Sequence, residues 1–161
     1  MKKIHLQTEI EVYTYKELTA IQQTLVDKAK EATSLSYSPY SKFSVGVAIL
    51  LANGEIICGT NQENVAYPSG ICAERTAMFY ANSTYPHVAP ICIAIAAFHN
   101  GTFTQSPITP CGACRQVLLE SEVRYEKPIS LLLYGEAEIV LVKHVHDLLP
   151  LNFAPSRLLS S

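Results

Sequence analysis

The sequence predicts an α/β fold, a mixed five-stranded sheet covered by helices. Apolar, β-branched runs alternate along the chain with segments of helical periodicity, which is the pattern of a sheet with helices packed on it. Asn53-Gly54 joins the first two runs as a hairpin turn, so the sheet is mixed rather than wholly parallel. A chain of 161 residues with 48% hydrophobic residues is the size of one domain with its own core.

The first helix is predicted from a capping box at its N-terminus. Thr14 and Glu17 have the spacing of that motif, and a Ser-Pro pair at 38–39 marks the stop. Apolar residues at helical spacing lie between them: Leu18, Ile21, Leu25, Ala29 and Ala32. Two antiparallel strands follow, at Phe43–Leu51 and Glu55–Cys58.

The second half of the chain alternates helix and strand. Ala, Glu, Arg and Met predict a second helix that begins at Cys72 and runs to Asn82. The remaining elements are predicted as a strand at Ile91–Phe98 that ends at Asn100-Gly101, a helix at Cys111–Glu122, and strands at Ile129–Tyr134 and Ile139–Val142. The strand at Ile91–Phe98 is apolar on both faces, which predicts a central position in the sheet.

The two ends of the chain are the parts the pattern defines least. Residues 1–13 are predicted to be an N-terminal arm or an added strand of the single domain spanning 1–161, and residues 154–161 a C-terminal tail. Lys2 and Lys3 resemble the start of a secretion signal, but polar residues follow where an apolar stretch would be required. We therefore expect a cytoplasmic protein that does not associate with membranes.

Charge indicates which partners the protein takes. The net charge is −2 and Lys and Arg are not clustered, so the sequence disfavours a nucleic-acid surface. Charged residues make up 16% of the chain, below the roughly 25% that is usual for soluble domains. This shortage of charge predicts a homo-oligomer whose subunits cover one another.

Cysteine spacing points to a metal. In a reducing compartment five cysteines favour metal binding or catalysis over disulfides. Cys111 and Cys114 are one helical turn apart at a predicted helix start, and Cys72 opens the other helix with Glu74 two residues on. Helix N-termini favour thiolates, and three thiolate ligands leave one position of a zinc ion open for water. The pattern predicts one catalytic Zn²⁺ per chain, with Glu74 close enough in sequence to face the water at its open position without being a ligand.

On these residues the chain resembles the cytidine deaminase family, the small zinc-dependent enzymes that act on free nucleosides. The resemblance extends over about residues 34–153. It rests on Cys72-Ala73-Glu74-Arg75-Thr76-Ala77 and Pro110-Cys111-Gly112-Ala113-Cys114, and also on Tyr37–Phe43, Asn61–Asn64, Leu148-Leu149-Pro150 and Phe153. Ser44 and Val47 depart from it, because many members have Pro and Ala there.

The resemblance implies a three-layer fold, a homotetramer with active sites at subunit contacts, and the hydrolysis of cytidine and 2′-deoxycytidine to uridine, 2′-deoxyuridine and ammonia in pyrimidine salvage. Metal-activated water attacks C4 of the base in this reaction, and Glu74 carries the proton to N3 and then to the leaving ammonia. Three thiolates leave zinc with a net charge of about −1, so Arg75 is expected to donate hydrogen bonds to the ligand sulfurs.

The resemblance also implies the residues that bind substrate. Phe43 is placed against the pyrimidine ring, Asn61 and Glu63 on the ribose hydroxyls, and Ala73 beside the substrate. Tyr67 and Phe153 are expected to reach the active site of a neighbouring subunit.

Other functions stay open at this point. The same zinc signature serves deaminases of modified aminopyrimidine nucleosides, such as a cytosine-containing antibiotic, and enzymes that edit polynucleotides. A non-catalytic zinc module is a third alternative, distinguished by four protein ligands. Buried, inert thiols are predicted at Cys58 and Cys92, and no role at His5, His87 or His99.

Overall fold

The structure, a computed structural model, describes residues 1–153. Within them lie three α-helices, α1 (Ala20–Ala32), α2 (Ala73–Thr84) and α3 (Gly112–Tyr125). The strands in the same part of the chain are β1 (Ile10–Tyr13), β2 (Ser44–Leu51), β3 (Ile56–Thr60), β4 (Pro90–His99), β5 (Thr102–Phe103), β6 (Ser130–Tyr134) and β7 (Ile139–Val142). None of these helices is long and apolar enough to cross a membrane. The predicted C-terminal tail, 154–161, lies outside the described residues.

The strands form one mixed sheet in the order β1-β7-β6-β4-β2-β3, with β5 paired to β4. β4 and β6 run parallel, and the other pairs described are antiparallel. The mixed α/β class is confirmed, and so is the central position of β4. The predicted count of five strands is wrong, because the described residues add β1 and β5.

β5 exists because the Asn100-Gly101 pair makes a hairpin instead of simply ending β4. Both residues have positive φ, 52° and 83°, as the tight turn of a two-residue hairpin requires. Phe98 then pairs with Phe103, and their rings meet edge to face at 5.2 Å. The same Asn-Gly pair at 53–54 predicts the β2–β3 hairpin. The expectation that Asn100-Gly101 only ends a strand is therefore wrong, because this pair also forms a hairpin turn.

β1 is an edge strand, paired antiparallel with β7 from Ile10 opposite Val142 to Tyr13 opposite Ile139. The sequence predicts either an arm or an added strand for the N-terminal segment. Residues 10–13 form the added strand. Lys143 holds its start, with Nζ 3.0 Å from the Glu9 carboxylate and 2.5 Å from that of Glu11.

The first helix starts later than predicted. The Thr14–Glu17 box caps only a single 3₁₀ turn, in which the Glu17 carboxylate accepts the Thr14 N–H at 2.7 Å. Leu18 is extended, and a second capping box at Thr19 and Gln22 opens α1. Two capping motifs thus lie in series, and the chain straightens between them.

Helices cover both faces of the sheet in three layers. α1 packs on one face, where Leu25, Val26 and Ala29 are fully buried, and α2 and α3 pack on the other. Glycine allows a close approach of α2: a Cβ at Gly59 would lie 2.6 Å from the Ala77 nitrogen. This contact brings the N-terminus of α2 against the β2–β3 end of the sheet.

Candidate active site

Three thiols meet where the N-termini of α2 and α3 converge. Cys72 is the N-cap of α2, Cys111 is the N-cap of α3, and Cys114 lies on the first turn of α3. The sulfur of Cys111 is 3.9 Å from that of Cys72 and 3.5 Å from that of Cys114. All three sulfurs lie within 4.8 Å of one another. The predicted cluster is therefore assembled from residues 39 positions apart in sequence.

This spacing fits a zinc ion. A tetrahedral site with Zn–S bonds of about 2.3 Å places its sulfurs roughly 3.8 Å apart. The cluster offers three protein ligands, and within residues 1–153 no fourth His, Cys, Asp or Glu joins it. Three ligands leave one coordination position open, which is the arrangement of a catalytic site rather than a structural one.

The charge distribution favours a thiolate at Cys72. Hydrogen bonding from Cys114 and from the Arg75 guanidinium lowers the pKa of Cys72 to about 5, against the opposing effect of burial. Arg75 Nη2 lies 3.8 Å from the Cys72 sulfur. The pairing with Cys72 and burial raise the pKa of Cys114. Cys72 therefore loses its proton before Cys114.

Glu74 is a buried carboxyl on the first turn of α2. Its exposed fraction is 5%, and burial raises the pKa of its carboxyl, with the nearby Cys72 charge acting in the same direction. A raised pKa brings a carboxyl closer to the working range of a general acid and base. Its position in the cavity wall beside the thiols gives it access to both a metal and a ligand.

A cavity of about 780 Å³ opens at this point. Most of the predicted site residues line it: Phe43, Asn61, Glu63, Tyr67, Cys72, Ala73, Glu74, Arg75 and Cys111. Cys114 lies behind its wall as a fully buried ligand, and Phe153 is not part of the lining. The fold therefore brings together residues from Phe43 to Cys111, between which the chain forms four strands and one α-helix.

The Glu63 side chain is hydrogen-bonded to the loop that precedes β2. Its carboxylate accepts the backbone N–H groups of Tyr40 at 2.9 Å and Ser41 at 3.2 Å, and bonding from Ser41 lowers its pKa. Asn61 is similarly engaged, since its Oδ1 accepts the Val45 N–H at 2.7 Å and its Nδ2 donates to the Phe43 carbonyl at 2.9 Å. Both predicted ribose ligands thus also position the chain around Phe43.

The two residues expected to reach a neighbouring subunit lie in different places. Tyr67 lines the cavity of its own chain, edge to face with Tyr40 at 6.3 Å, and 77% of it is exposed. Phe153 is exposed, and its carbonyl accepts a hydrogen bond from Gln116 on α3. Their reach into a neighbouring site stays a prediction.

Arg115 is a site residue that the sequence patterns did not single out. Its guanidinium donates to the carbonyls of Pro110 and Leu148, both at 2.9 Å, and to the Thr109 hydroxyl at 3.3 Å. These bonds hold in place the backbone that leads into Cys111. Its position directly after Cys114 at a helix N-terminus, where cations are disfavoured, is the one signal that could have marked it.

Comparison with known proteins identifies the family. The family model described as the cytidine and deoxycytidylate deaminase zinc-binding region matches residues 19–126, which include all three thiols and Glu74. The chain belongs to the cytidine deaminase family. Its cluster of three cysteines is the zinc site of that family, with one zinc per chain.

Relatives support the family across most of the chain. It is 43% identical to the cytidine deaminase of Halalkalibacterium halodurans over 99 residues, 62% of this chain and 70% of that one. It is 34% identical to a probable cytidine deaminase of Dictyostelium discoideum over 144 residues, with 84% and 85% of the chains covered. The crystal structure of the Burkholderia pseudomallei cytidine deaminase superposes with a TM-score of 0.70 at 36% identity, covering 84% of this chain and all of that one. The cytidine deaminase fold predicted for the chain is thereby confirmed.

Proposed function

We propose that this enzyme hydrolyses cytidine and 2′-deoxycytidine to uridine and 2′-deoxyuridine with release of ammonia. The observation that carries the proposal is the position of the buried Glu74 carboxyl in the wall of the same cavity as the thiols of Cys72 and Cys111. The family and its relatives named cytidine deaminase support the substrate.

Glu74 is the group that moves protons. When bound at the three thiols, zinc supplies the Lewis acidity that activates water at neutral pH. Glu74 accepts a proton from the attacking water and delivers it to N3 of the base. It then takes the remaining proton from the new C4 hydroxyl and delivers it to the amino group, so that the C4–N bond breaks and the C4 carbonyl forms. Its raised pKa suits a group that must both accept and donate near neutral pH. The sum is cytidine plus water giving uridine plus ammonia.

The remaining residues hold the substrate. Phe43 offers an aromatic face to the pyrimidine, and Ala73 offers backbone at the N-terminus of α2. Glu63 and Asn61, which also line the cavity, bind the ribose hydroxyls. Arg75 withdraws charge from the metal through its contact with the Cys72 sulfur.

Charge favours a nucleoside over a nucleotide or a polynucleotide. Among the residues that line the cavity in the described chain, Arg75 is the one cation, and it is already bonded to Cys72. The lining also contains two carboxyls, Glu63 and Glu74. A 5′-phosphate would find no compensating charge there.

A substrate panel tests the proposal. Zinc-loaded protein is mixed with cytidine, 2′-deoxycytidine, deoxycytidylate, a cytosine-containing antibiotic and a cytosine-containing oligonucleotide, with ultraviolet absorbance and ammonia as readouts. We expect turnover of the two free nucleosides at least about tenfold more efficient than that of any other compound. Preference for the antibiotic would establish the modified-nucleoside alternative, and preference for deoxycytidylate or the oligonucleotide would contradict the charge argument.

We also propose that the enzyme is a homotetramer with active sites at subunit contacts. Two apolar side chains that line the cavity, Tyr40 and Tyr67, are exposed in the single chain. So are three that lie close to them in sequence, Leu35, Tyr37 and Val65. A neighbouring subunit would cover them. Sedimentation velocity should give one species of about four chains, and a monomer that turns over cytidine would contradict this.

The proposed setting is the cytoplasm, in pyrimidine salvage. The cysteines of the described chain are free, and a site built from three thiols needs a reducing compartment to stay intact. Cell fractionation with an antibody to the protein tests the location, and recovery in an oxidising compartment would contradict it.

A further inference from the structure

The side chain of His99, the last residue of β4, packs against Phe43 at the entrance to β2. Their ring centroids are 5.5 Å apart with an angle of 44° between the ring planes. The sheet register brings them together, since Ser44 pairs with Phe98 and the next positions of this antiparallel pair are Phe43 and His99. Phe43 lines the cavity and His99 is not among the lining residues, so His99 packs on a ring of the cavity wall without belonging to that wall.

His99 also holds the backbone that leads into Phe43. Its Nδ1 lies 2.9 Å from the carbonyl oxygen of Lys42. A carbonyl only accepts hydrogen bonds, so Nδ1 carries the proton and donates it. Lys42 has a φ of 57°, in the left-handed region that residues other than glycine rarely adopt, and its N–H is bonded to the Ser38 carbonyl at 3.0 Å.

The two contacts act on one quantity, the direction of the Phe43 ring. The unusual backbone at Lys42 sets the angle at which Phe43 leaves the loop, and the bond to His99 stabilises that conformation. The imidazole meanwhile packs against the Phe43 ring itself and limits its movement. When a side chain is already held in its binding orientation, less of the binding free energy is lost in ordering it.

We propose that His99 is a positioning residue for substrate binding, which holds Phe43 in the orientation that receives the pyrimidine. This inference rests on the proposed function, because Phe43 is the residue assigned there to the base. His99 touches neither the thiols nor the cavity, so its loss should weaken binding and leave the chemical step intact.

The test is a double-mutant cycle on KM and kcat for cytidine. His99→Ala should raise KM by about tenfold and change kcat by less than about twofold, with zinc content unchanged. In a Phe43→Leu background the same change should raise KM by less than about twofold, because the residue through which His99 acts is already altered. An unchanged KM in His99→Ala, or an equal increase in both backgrounds, would overturn the proposal.

A matched pair of variants decides the question if His99→Ala does not fold. The amide of His99→Asn reaches the position of Nδ1 and keeps the bond to Lys42, whereas that of His99→Gln reaches the position of Nε2 and loses it. We expect a KM nearer to wild type in the Asn variant, and the reverse order would overturn the role of the bond. Failure of wild type to act on cytidine would overturn the proposed function and this inference together, while normal wild-type turnover with unaltered variants would overturn only the inference.

Discussion

Arg75 Nη2 lies 3.8 Å from the sulfur of Cys72, one turn further along the same helix. The guanidinium shares the first turn of α2 with both a metal ligand and the buried Glu74 carboxyl. Because three thiolates carry more negative charge than zinc carries positive charge, this contact offsets the excess at the metal. One helix terminus thus carries a thiol of the three-cysteine cluster, the proposed proton carrier and a cation that contacts that thiol.

Arg75→Gln should weaken both zinc binding and turnover. Loss of the charged donor to Cys72 leaves the thiolate cluster uncompensated, and changes of this kind cost about 10- to 100-fold in metal affinity or activity. Zinc affinity is measured by competition with a chromophoric chelator. Arg124→Gln is the control, since Arg124 is a surface guanidinium that bonds the Pro86 carbonyl. Equal zinc affinity in the Arg75 and Arg124 variants would contradict the role of the contact.

Gly59→Ala should destabilise the fold and disturb the zinc site together. The new methyl group would lie 2.6 Å from the Ala77 nitrogen and 2.8 Å from the Ala73 carbonyl, so α2 must move away from β3. Overpacking of this kind costs about 1–3 kcal/mol, or roughly 2–4 °C in the unfolding midpoint for each kcal/mol. Calorimetry and zinc analysis provide the readouts. Gly112→Ala is the control for the unfolding midpoint, because its Cβ would meet no atom within 4 Å apart from its chain neighbours and the backbone of its own helix. An unchanged midpoint in Gly59→Ala would contradict the close contact of α2 with β3.

Glu126→Gly should stabilise the protein. Glu126 ends α3 with φ 52° and ψ 37°, a left-handed conformation that glycine adopts without steric cost. The expected gain in the free energy of unfolding is about 0.5–1 kcal/mol, measured by urea denaturation. Glu120→Gly, an exposed position inside the same helix, should instead lose about 1 kcal/mol. A gain in both variants, or in neither, would contradict the capping argument.

The attachment of β1 should depend on salt and pH. Lys143 bonds the carboxylates of Glu9 and Glu11, and its hydrogen bond lowers the pKa of Glu11. A lowered pKa stabilises the folded form above the ordinary carboxyl value of about 4.3, and that contribution is lost as pH falls through the lowered value. Lys143→Ala should speed hydrogen exchange at residues 10–13, as should high salt in the wild type. Exchange in Lys143→Ala that matches wild type would show that backbone pairing alone holds the strand.

Local patterns predicted most of the sheet and the helices that carry the ligands. Cys72 and Cys111 were expected at helix starts, and both are N-caps in the structure. The misjudged elements have local as well as tertiary causes, since β5 follows from the Asn100-Gly101 turn. β1 depends on pairing with β7 and on Lys143, far along the chain, and no local signal distinguishes that strand from an arm. The delayed start of α1 reflects competition between two capping motifs that are equally good locally.

In the candidate site too, some features follow from local sequence patterns and others from contacts between distant segments. Spacing and residue type predicted a cluster of Cys72, Cys111 and Cys114, and the structure brings their sulfurs within 4.8 Å of one another. The role of Glu74 stays a prediction. The contact of His99 with Phe43 follows from the register of β2 on β4, which no short-range pattern specifies. The bond from Arg115 to Leu148 likewise joins segments 33 residues apart.

The most direct test of the account compares turnover of cytidine by wild type and Glu74→Gln, with zinc per chain determined on the same samples. The substitution keeps the size of the side chain and removes its ability to carry a proton. We predict about one zinc per chain in both proteins and a kcat about 10²- to 10⁴-fold lower in the variant. A zinc-loaded Glu74→Gln variant that deaminates cytidine at the wild-type rate would contradict the assignment of Glu74 and the mechanism built on it.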